Sequence, residues 1–382
     1  MKIVIAPDSY KESLSALEVA QLIQKGFSLH YPMAEYHLVP IADGGEGTID
    51  AVIRATQGQR VMLSVMGPLG QPVEASYAIT GDGKSAVIEM AEASGLAHVP
   101  LAQRDPRITT SFGTGELIKD ALARGIRHII LGLGGSATND GGAGMLAALG
   151  LQLLDAKGNL LPLGGLSLKE LAFIDSRYFD PAIKECHFEV ACDVDTVLIG
   201  EQGASAIFGP QKGATVEMAT QLDNALAHYA KIVAQTLACD VQAIQNHAGS
   251  GAAGGMGFAA LTFLQGRLRP GITLILDLIN FAALIADADL VITGEGKIDR
   301  QTLHGKAPIG VARIAKAHNI PVIAIAGSLG DGAHLVKEAG VDALVSILNS
   351  PCTLEEAYLE SRKNLEQTAE NVAAILKVGK ML

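Results

Sequence analysis

The chain has 382 residues, 49% hydrophobic and 18% charged, with a mean hydropathy of +0.30. That length exceeds what one core organises and predicts roughly two or three domains, while the composition excludes a disordered or polyelectrolyte chain. A formal net charge of -11 excludes nucleic acid and anionic membrane as partners, since neither would meet a basic field.

Residues 2–6, KIVIA, read as a buried strand, and Ser15 with Glu18 as a capping box opening a helix whose apolar face is Val19, Leu22, Ile23 and Phe27. YHLVPIA (36–42) repeats the strand, DGGEG (43–47) is a loop, and TIDAVIRATQ (48–57) is a helix stopped by Gly58. This alternation predicts a parallel sheet covered by helices. From about residue 60 the grammar changes: VMLSV, VEASYAIT and SAVIEMA are short strands joined by PLGQ and GDGK, spacers that suit antiparallel hairpins. Helical stretches such as GELIKDALA and residues 216–238 then mix with the strands HIILGL and HFEVAC, so residues 66–285 read as an inserted α+β domain. From ADLVIT (288–293) strand, loop and helix alternate again to the long terminal helix starting at Leu354, and residues 1–65 and 286–382 read as one discontinuous α/β domain.

The apolar region 271–293 is interrupted by Asp277, Asn280 and Asp287 and is not expected to span a bilayer. Lys2 and the few apolar residues after it are too little for a signal peptide, which makes a cytoplasmic enzyme the expectation. Cys186, Cys192, Cys239 and Cys352 lack CxxC spacing and are expected to be buried, reduced thiols.

Ligands of open α/β sheets sit outside the carboxyl ends of the strands, and four polar, glycine-rich loops occupy such positions here. PDSYKES offers Asp8, Ser9 and Lys11; ADGGEGT offers Asp43 and Glu46. GLGGSATNDGGAG offers Gly134, Gly135, Ser136, Thr138, Asn139 and Asp140; TGEGKIDRQTLHGK offers Glu295, Lys297, Asp299, Arg300 and Lys306. Any one loop is as readily a turn or a helix cap. Together they supply backbone N–H groups for phosphate oxygens, cations for developing charge, and carboxylates for Mg²⁺ or a hydroxyl nucleophile, which are the parts of phosphoryl transfer. Lys11 is expected to face an anion, and Asp8 or Asp43 to act as base or metal ligand. The chain nevertheless lacks the GxxxxGK[ST] loop and the HRD and DFG motifs, so spacing alone does not establish a kinase.

GLGGSA also fits G-x-G-x-x-A, with Asp155 about 20 residues further on, as in a nicotinamide-dependent oxidoreductase. TND followed by GG interrupts the helix that this motif requires. GPQKGA places Lys212 for an anion or for solvent, and GSGAAGGMGFA suits either phosphate or close helix packing. Asp193, after Cys192 at a strand end, is a further candidate carboxylate.

In APDSYKESLSA, PIADGGEGT, GLGGSATNDGGAGM, FGPQKGA, GAAGGMG and LVITGEGKIDRQTLHGKAPIGVA the chain closely resembles the type I glycerate kinases, nearly end to end and in the family's order. The resemblance implies ATP-dependent phosphorylation of D-glycerate with Mg²⁺, favouring 2-phosphoglycerate, by a Rossmann-like domain and an inserted α/β domain around a cleft. On that reading glycerate is held by Asp8, Ser9, Glu46, Glu295, Lys297, Asp299 and Lys306. The ATP phosphates and Mg²⁺ would lie in the interdomain cleft, with Gly134, Gly135, Ser136, Thr138, Asn139, Asp140 and Lys212 binding the nucleotide. Asp43, then Asp193, is the carboxylate expected to orient or deprotonate the hydroxyl or to bind the metal, and Lys11, Lys297 and Lys306 are the charge stabilisers. One stretch departs from the pattern: CDVDTVL stands where members commonly read CDV, one residue and Asn-Pro-Leu. A metabolite-sensing homologue without turnover is the non-catalytic rival, and monomer and homodimer both remain open.

Overall fold

The computed structural model describes residues 1–45 and 47–380. In chain order its strands are β1 (Lys2–Ile5), β2 (Glu35–Leu38), β3 (Gln59–Met66), β4 (Pro72–Ile79), β5 (Ser85–Glu89), β6 (His128–Gly132), β7 (Gln152–Leu154) and β8 (Phe173–Asp175). They continue as β9 (His187–Ala191), β10 (Arg267–Arg269), β11 (Leu290–Thr293), β12 (Lys297–Ile298), β13 (Val322–Ala326), β14 (Ser328–Leu329) and β15 (Ala343–Ser346). Two compact units divide the chain, Met1–Asp43 with Ile272–Leu382, and Gly44–Gly271.

The first unit is built on a five-stranded parallel sheet in the order β15-β13-β11-β1-β2. Counted within the unit this is the 2-1-3-4-5 order of a doubly wound, flavodoxin-like sheet, whose winding reverses between its first and third strands. Here that switch point lies between β1 and β11. Side chains alternate across β1 as strand geometry requires. Ile3 and Ile5 pack with Val19, Ile23 and Phe27 of the helix Ala16–Ser28 and with Leu365 and Ala369 of the helix Leu354–Gly379. Val4 and Ala6 face the other way, toward Ile309 and Val311 of the helix Ala307–Ala317. Each such Ile, Val or Phe contributes about 1.5–3 kcal/mol by leaving water. The two helices on the Ile3 face touch at Gly26, where an added Cβ would come within 2.6 Å of the Glu366 carbonyl oxygen.

The second unit carries a six-stranded sheet in the order β10-β9-β6-β5-β4-β3. β10, β9, β6 and β5 run parallel, and β4 and β3 close the edge as an antiparallel hairpin. Ala86, Ile88, Ile129, Leu131, Phe188 and Val190 all point to one face and form its core with Leu117 and Ile118 of the helix Phe112–Ala123 and Leu226 and Tyr229 of the helix Val216–Leu237.

The unit boundaries differ from those expected at residues 65 and 285. β3 pairs with β4 from Gln59 to Met66, which draws it into the second sheet. Ile272, Leu276, Phe281 and Ile285 pack into the core around Val4, which draws the second boundary back to Gly271. Among the described residues, no helix is long and apolar enough to cross a membrane. The four cysteines are free, but none is buried as expected: Cys186, Cys192 and Cys239 are half-buried and Cys352 is exposed.

Candidate active site

At the carboxyl edge of the first sheet, the loops following β1 and β11 lie against each other. Ala6 N donates to Ile292 O at 2.7 Å, Asp8 N to Gly294 O at 2.8 Å, and Thr293 Oγ1 to Ala6 O at 2.8 Å. Gly296 permits the approach, because a Cβ there would sit 3.3 Å from the Lys11 N and the Tyr10 Cα. The Tyr10 hydroxyl donates to Ile325 O at 2.8 Å and ties the same loop to β13.

This packing gathers acids. The carboxyl of Asp8 is pushed up to about 7 by burial first and by the neighbouring Asp43 carboxylate next, with Glu295 adding to the repulsion; the Ser9 N–H donating to it at 2.6 Å works against them. Glu295 is 6% exposed and raised above the usual range by burial. It accepts hydrogen bonds from Thr302 Oγ1 at 2.6 Å and Lys306 Nζ at 3.2 Å, both of which favour its charged form. Asp299 caps the turn Arg300–His304 through the Gln301 N–H at 2.8 Å and pairs with Lys297 at 3.2 Å, and these contacts hold it below the usual range. Lys306 and Lys297 are thus matched to Glu295 and Asp299, whereas Lys11 is exposed and enters no ion pair among the described residues.

The second unit places the GLGGSATND loop at the carboxyl end of β6. Gly44 crosses that end so closely that a Cβ at Gly132 would lie 2.3 Å from the Gly44 carbonyl oxygen. Gly134 and Gly135 are exposed, and Ser136 is buried just beneath them. Thr138, Asn139 and Asp140 are wholly buried. Asp140 accepts from Ser111 N and Ser111 Oγ, both at 2.8 Å, from Gly142 N at 3.1 Å and from Gly144 N at 3.2 Å; Asn139 Nδ2 donates to Ser205 Oγ at 2.9 Å. These side chains brace the loop from inside, which leaves the glycine backbone as its accessible part.

Lys212 does not extend into solvent. It is 2% exposed, and its ammonium donates to Ser136 Oγ at 2.8 Å and to Thr138 O at 2.6 Å. Burial pushes it down to about 7, against the pull of Asp140. The GSGAAGGMGFA stretch supports the same loop by close packing, since a Cβ at Gly254, where φ is +66°, would lie 2.1 Å from Thr138 O.

Asp193 is exposed at the end of β9, and its Oδ1 accepts the Gly271 N–H at 3.0 Å where the helix Gly271–Leu278 begins. The departing CDVDTVL stretch is held next to it: Gly251 N donates to Thr196 O at 2.9 Å, and Leu198 N to Gln245 O at 2.9 Å. Glu46 lies outside the described residues. The dinucleotide arrangement is not formed, because the helix begins only at Ala143 and Asp155 is spent on its own turn, accepting from Lys157 N at 2.8 Å and Asn159 N at 2.9 Å. Sequence reasoning missed Glu89, which closes β5 level with Gly132, is 6% exposed and accepts the Ile49 N–H at 2.8 Å. A lone acid ending the apolar run SAVIE was its only signal.

Comparison with known proteins sets this geometry among relatives. The model of the glycerate kinase family matches residues 3–377. The chain is 55% identical over 379 residues to the glycerate 2-kinase of Escherichia coli (strain K12), covering 99% of each chain, and 54% identical over 379 residues to the glycerate kinase of Bacillus cereus, again covering 99% of each. A crystal structure described as a glycerate kinase 2 from Salmonella typhimurium LT2 superposes with a TM-score of 0.90 at 56% identity, covering 100% of both chains.

Proposed function

The chain belongs to the glycerate kinase family, and from that membership we propose that it transfers the γ-phosphoryl group of ATP to the 2-hydroxyl of D-glycerate, giving 2-phosphoglycerate and ADP. The observation that carries the reading is the carboxyl cluster at the β1/β11 switch point, where Asp8 is held near 7 by burial and by Asp43, with Lys11 exposed in the same loop as Asp8. A group titrating there can accept a proton from an attacking hydroxyl at neutral pH, which shifts the base from Asp43, favoured by the loop pattern, to Asp8. Asp43 then acts as the charge that sets its partner's proton affinity. Ser9, Lys297 and Lys306 surround the same edge and suit the carboxylate and hydroxyl of a small hydroxy acid. Lys11 is the cation for the charge that develops on the transferred group.

The exposed N–H groups of Gly134 and Gly135 suit phosphate oxygens, with Lys212 and Asp140 as internal braces of that loop. Mg²⁺ would be held by Asp193, a hard oxygen donor oriented by the Gly271 N–H, and when bound it supplies neutralisation of the β- and γ-phosphates.

Phosphorus NMR of the product, alongside ADP release with and without D-glycerate, tests the reading. A 2-phosphate resonance and glycerate-dependent ADP are expected. A 3-phosphate product would overturn the regiochemistry, and bound ATP and glycerate without ADP would overturn catalysis.

Lys212→Met separates bracing from chemistry. Losing the two Nζ hydrogen bonds frees the Ser136 loop, so KM for ATP is expected to rise about tenfold or more, in keeping with one charged hydrogen bond of roughly 1.5–3 kcal/mol, while KM for D-glycerate stays within about twofold. Equal rises in both constants would exclude the bracing role.

A further inference from the structure

The amino-terminal edge of the second sheet lies four residue steps, about 13 Å, down β6 from Gly132. There the strand register sets Ser85 of β5 opposite His128 of β6, and His128 opposite His187 of β9. Glu189, two residues beyond His187, shares their face of the sheet. That face is opposite the one formed by Ile129, Leu131, Phe188 and Val190.

The two imidazoles stack with centroids 5.5 Å apart and planes inclined by 20°. One donor atom from each of His128, His187 and Glu189 lies within 4.8 Å of the other two. His128 Nε2 is 3.0 Å from Glu189 Oε2, and its other nitrogen, Nδ1, is 2.8 Å from Ser85 Oγ. The second oxygen of Glu189 accepts from Arg269 Nη1 at 2.8 Å. His128 and Glu189 are largely shielded, at 30% and 15% exposure, while His187 is exposed and leaves an approach from solvent.

We propose that His128 Nε2, a ring nitrogen of His187 and Glu189 Oε2 form a binding site for a borderline divalent transition metal of the Zn²⁺ class. Two imidazoles and one carboxylate are the donors such ions take, with water completing the coordination, whereas Mg²⁺ and Ca²⁺ prefer oxygen alone. Bonds of about 2.0–2.1 Å hold tetrahedral ligands roughly 3.3 Å apart, so the observed spacing closes with side-chain rotation alone. The surroundings match an outer shell: Ser85 holds the far nitrogen of His128 and Arg269 holds the far oxygen of Glu189, fixing which atoms face the ion. Filling the site requires the His128 tautomer that carries its proton on Nδ1, donated to Ser85 Oγ, and joins β6 to β9 at the end of the sheet opposite the GLGGSATND loop.

The test uses the full-length protein stripped with EDTA, titrated with Zn²⁺ by calorimetry and with Co²⁺ by visible absorption, in Mg²⁺-containing buffer at pH 7.5. One equivalent is expected to bind, with a higher Tm. Because His187 is exposed, His187→Ala should fold normally and keep glycerate-dependent turnover, yet bind Zn²⁺ more weakly by well over tenfold; Ser85→Ala should lose about 10–100-fold, as outer-shell changes do. Absence of saturable binding, or saturable binding that His187→Ala and His128→Asn both leave unchanged, would overturn the site.

Discussion

Asp8→Asn is expected to lower kcat by about 10²–10⁴-fold, the usual contribution of a positioned base, and also to raise Tm at pH 8. Both effects come from the same burial and the same Asp43 charge, which lift the Asp8 carboxyl to about 7 from its ordinary 3.8. A carboxyl raised on folding binds its proton more tightly in the native state, so between these two values the native chain holds more protons than the unfolded one and stability falls as pH rises. The asparagine variant escapes that cost. Its advantage over the parent should be absent below about pH 4, grow up to about pH 7 and then level, reaching on the order of 1 kcal/mol or more. In the parent, activity should be lost as pH falls through about 7; Asp43→Asn should move that limb to lower pH by removing the repelling charge, and Asp8→Asn should abolish it. Thermal melts from pH 3.5 to 8.5 and pH profiles of kcat/KM check both halves. An acidic limb that persists unchanged in Asp8→Asn would place the base elsewhere.

Lys11→Ala should reduce kcat by about 10²–10³-fold, the range for losing one preorganised charge in a transition state, with KM for D-glycerate changed far less. Stability should move by no more than about 0.5 kcal/mol, as for an exposed side chain outside any network. Lys306 provides the contrast. Removing its ammonium leaves Glu295 buried with Thr302 as its remaining side-chain donor, so Lys306→Ala should lower Tm as well as turnover. Steady-state kinetics and melts on both variants decide the matter: an unaltered kcat in Lys11→Ala removes Lys11 from the chemistry.

Local rules made much of the fold legible. The capping box at Ser15 and Glu18, the apolar run of KIVIA and the hairpin of VMLSV and VEASYAIT depend on neighbours in sequence, and each forms as read. The boundaries moved because they are decided by partners, β4 for β3 and the Val4 core for Ile272, which no window along the chain contains. The same distinction holds in the candidate site. Asp8, Asp43, Glu295 and Lys11 were recognisable from their loops, but the surroundings that raise the Asp8 carboxyl require the loop after β1 to pack against the loop after β11, strands about 285 residues apart. Lys212 read as a loop lysine because a glycine-flanked turn normally is solvated; its descent beneath Ser136 required the partner loop 74 residues away. The pairing of His128 with Glu189 was equally hidden, since strand register, not spacing, brings them together.

The central position of β1 constrains how the molecule is made. It leaves the ribosome before every other strand of its sheet, yet one of its two flanking strands, β11, emerges only after some 285 further residues, roughly 14–57 s later at 5–20 residues per second. Gly44–Gly271 is continuous and can mature during that interval. The nascent amino-terminal segment, carrying the apolar Ile3, Val4 and Ile5, must wait half-assembled, which makes it the natural point for chaperone engagement and for aggregation when translation stalls before residue 290.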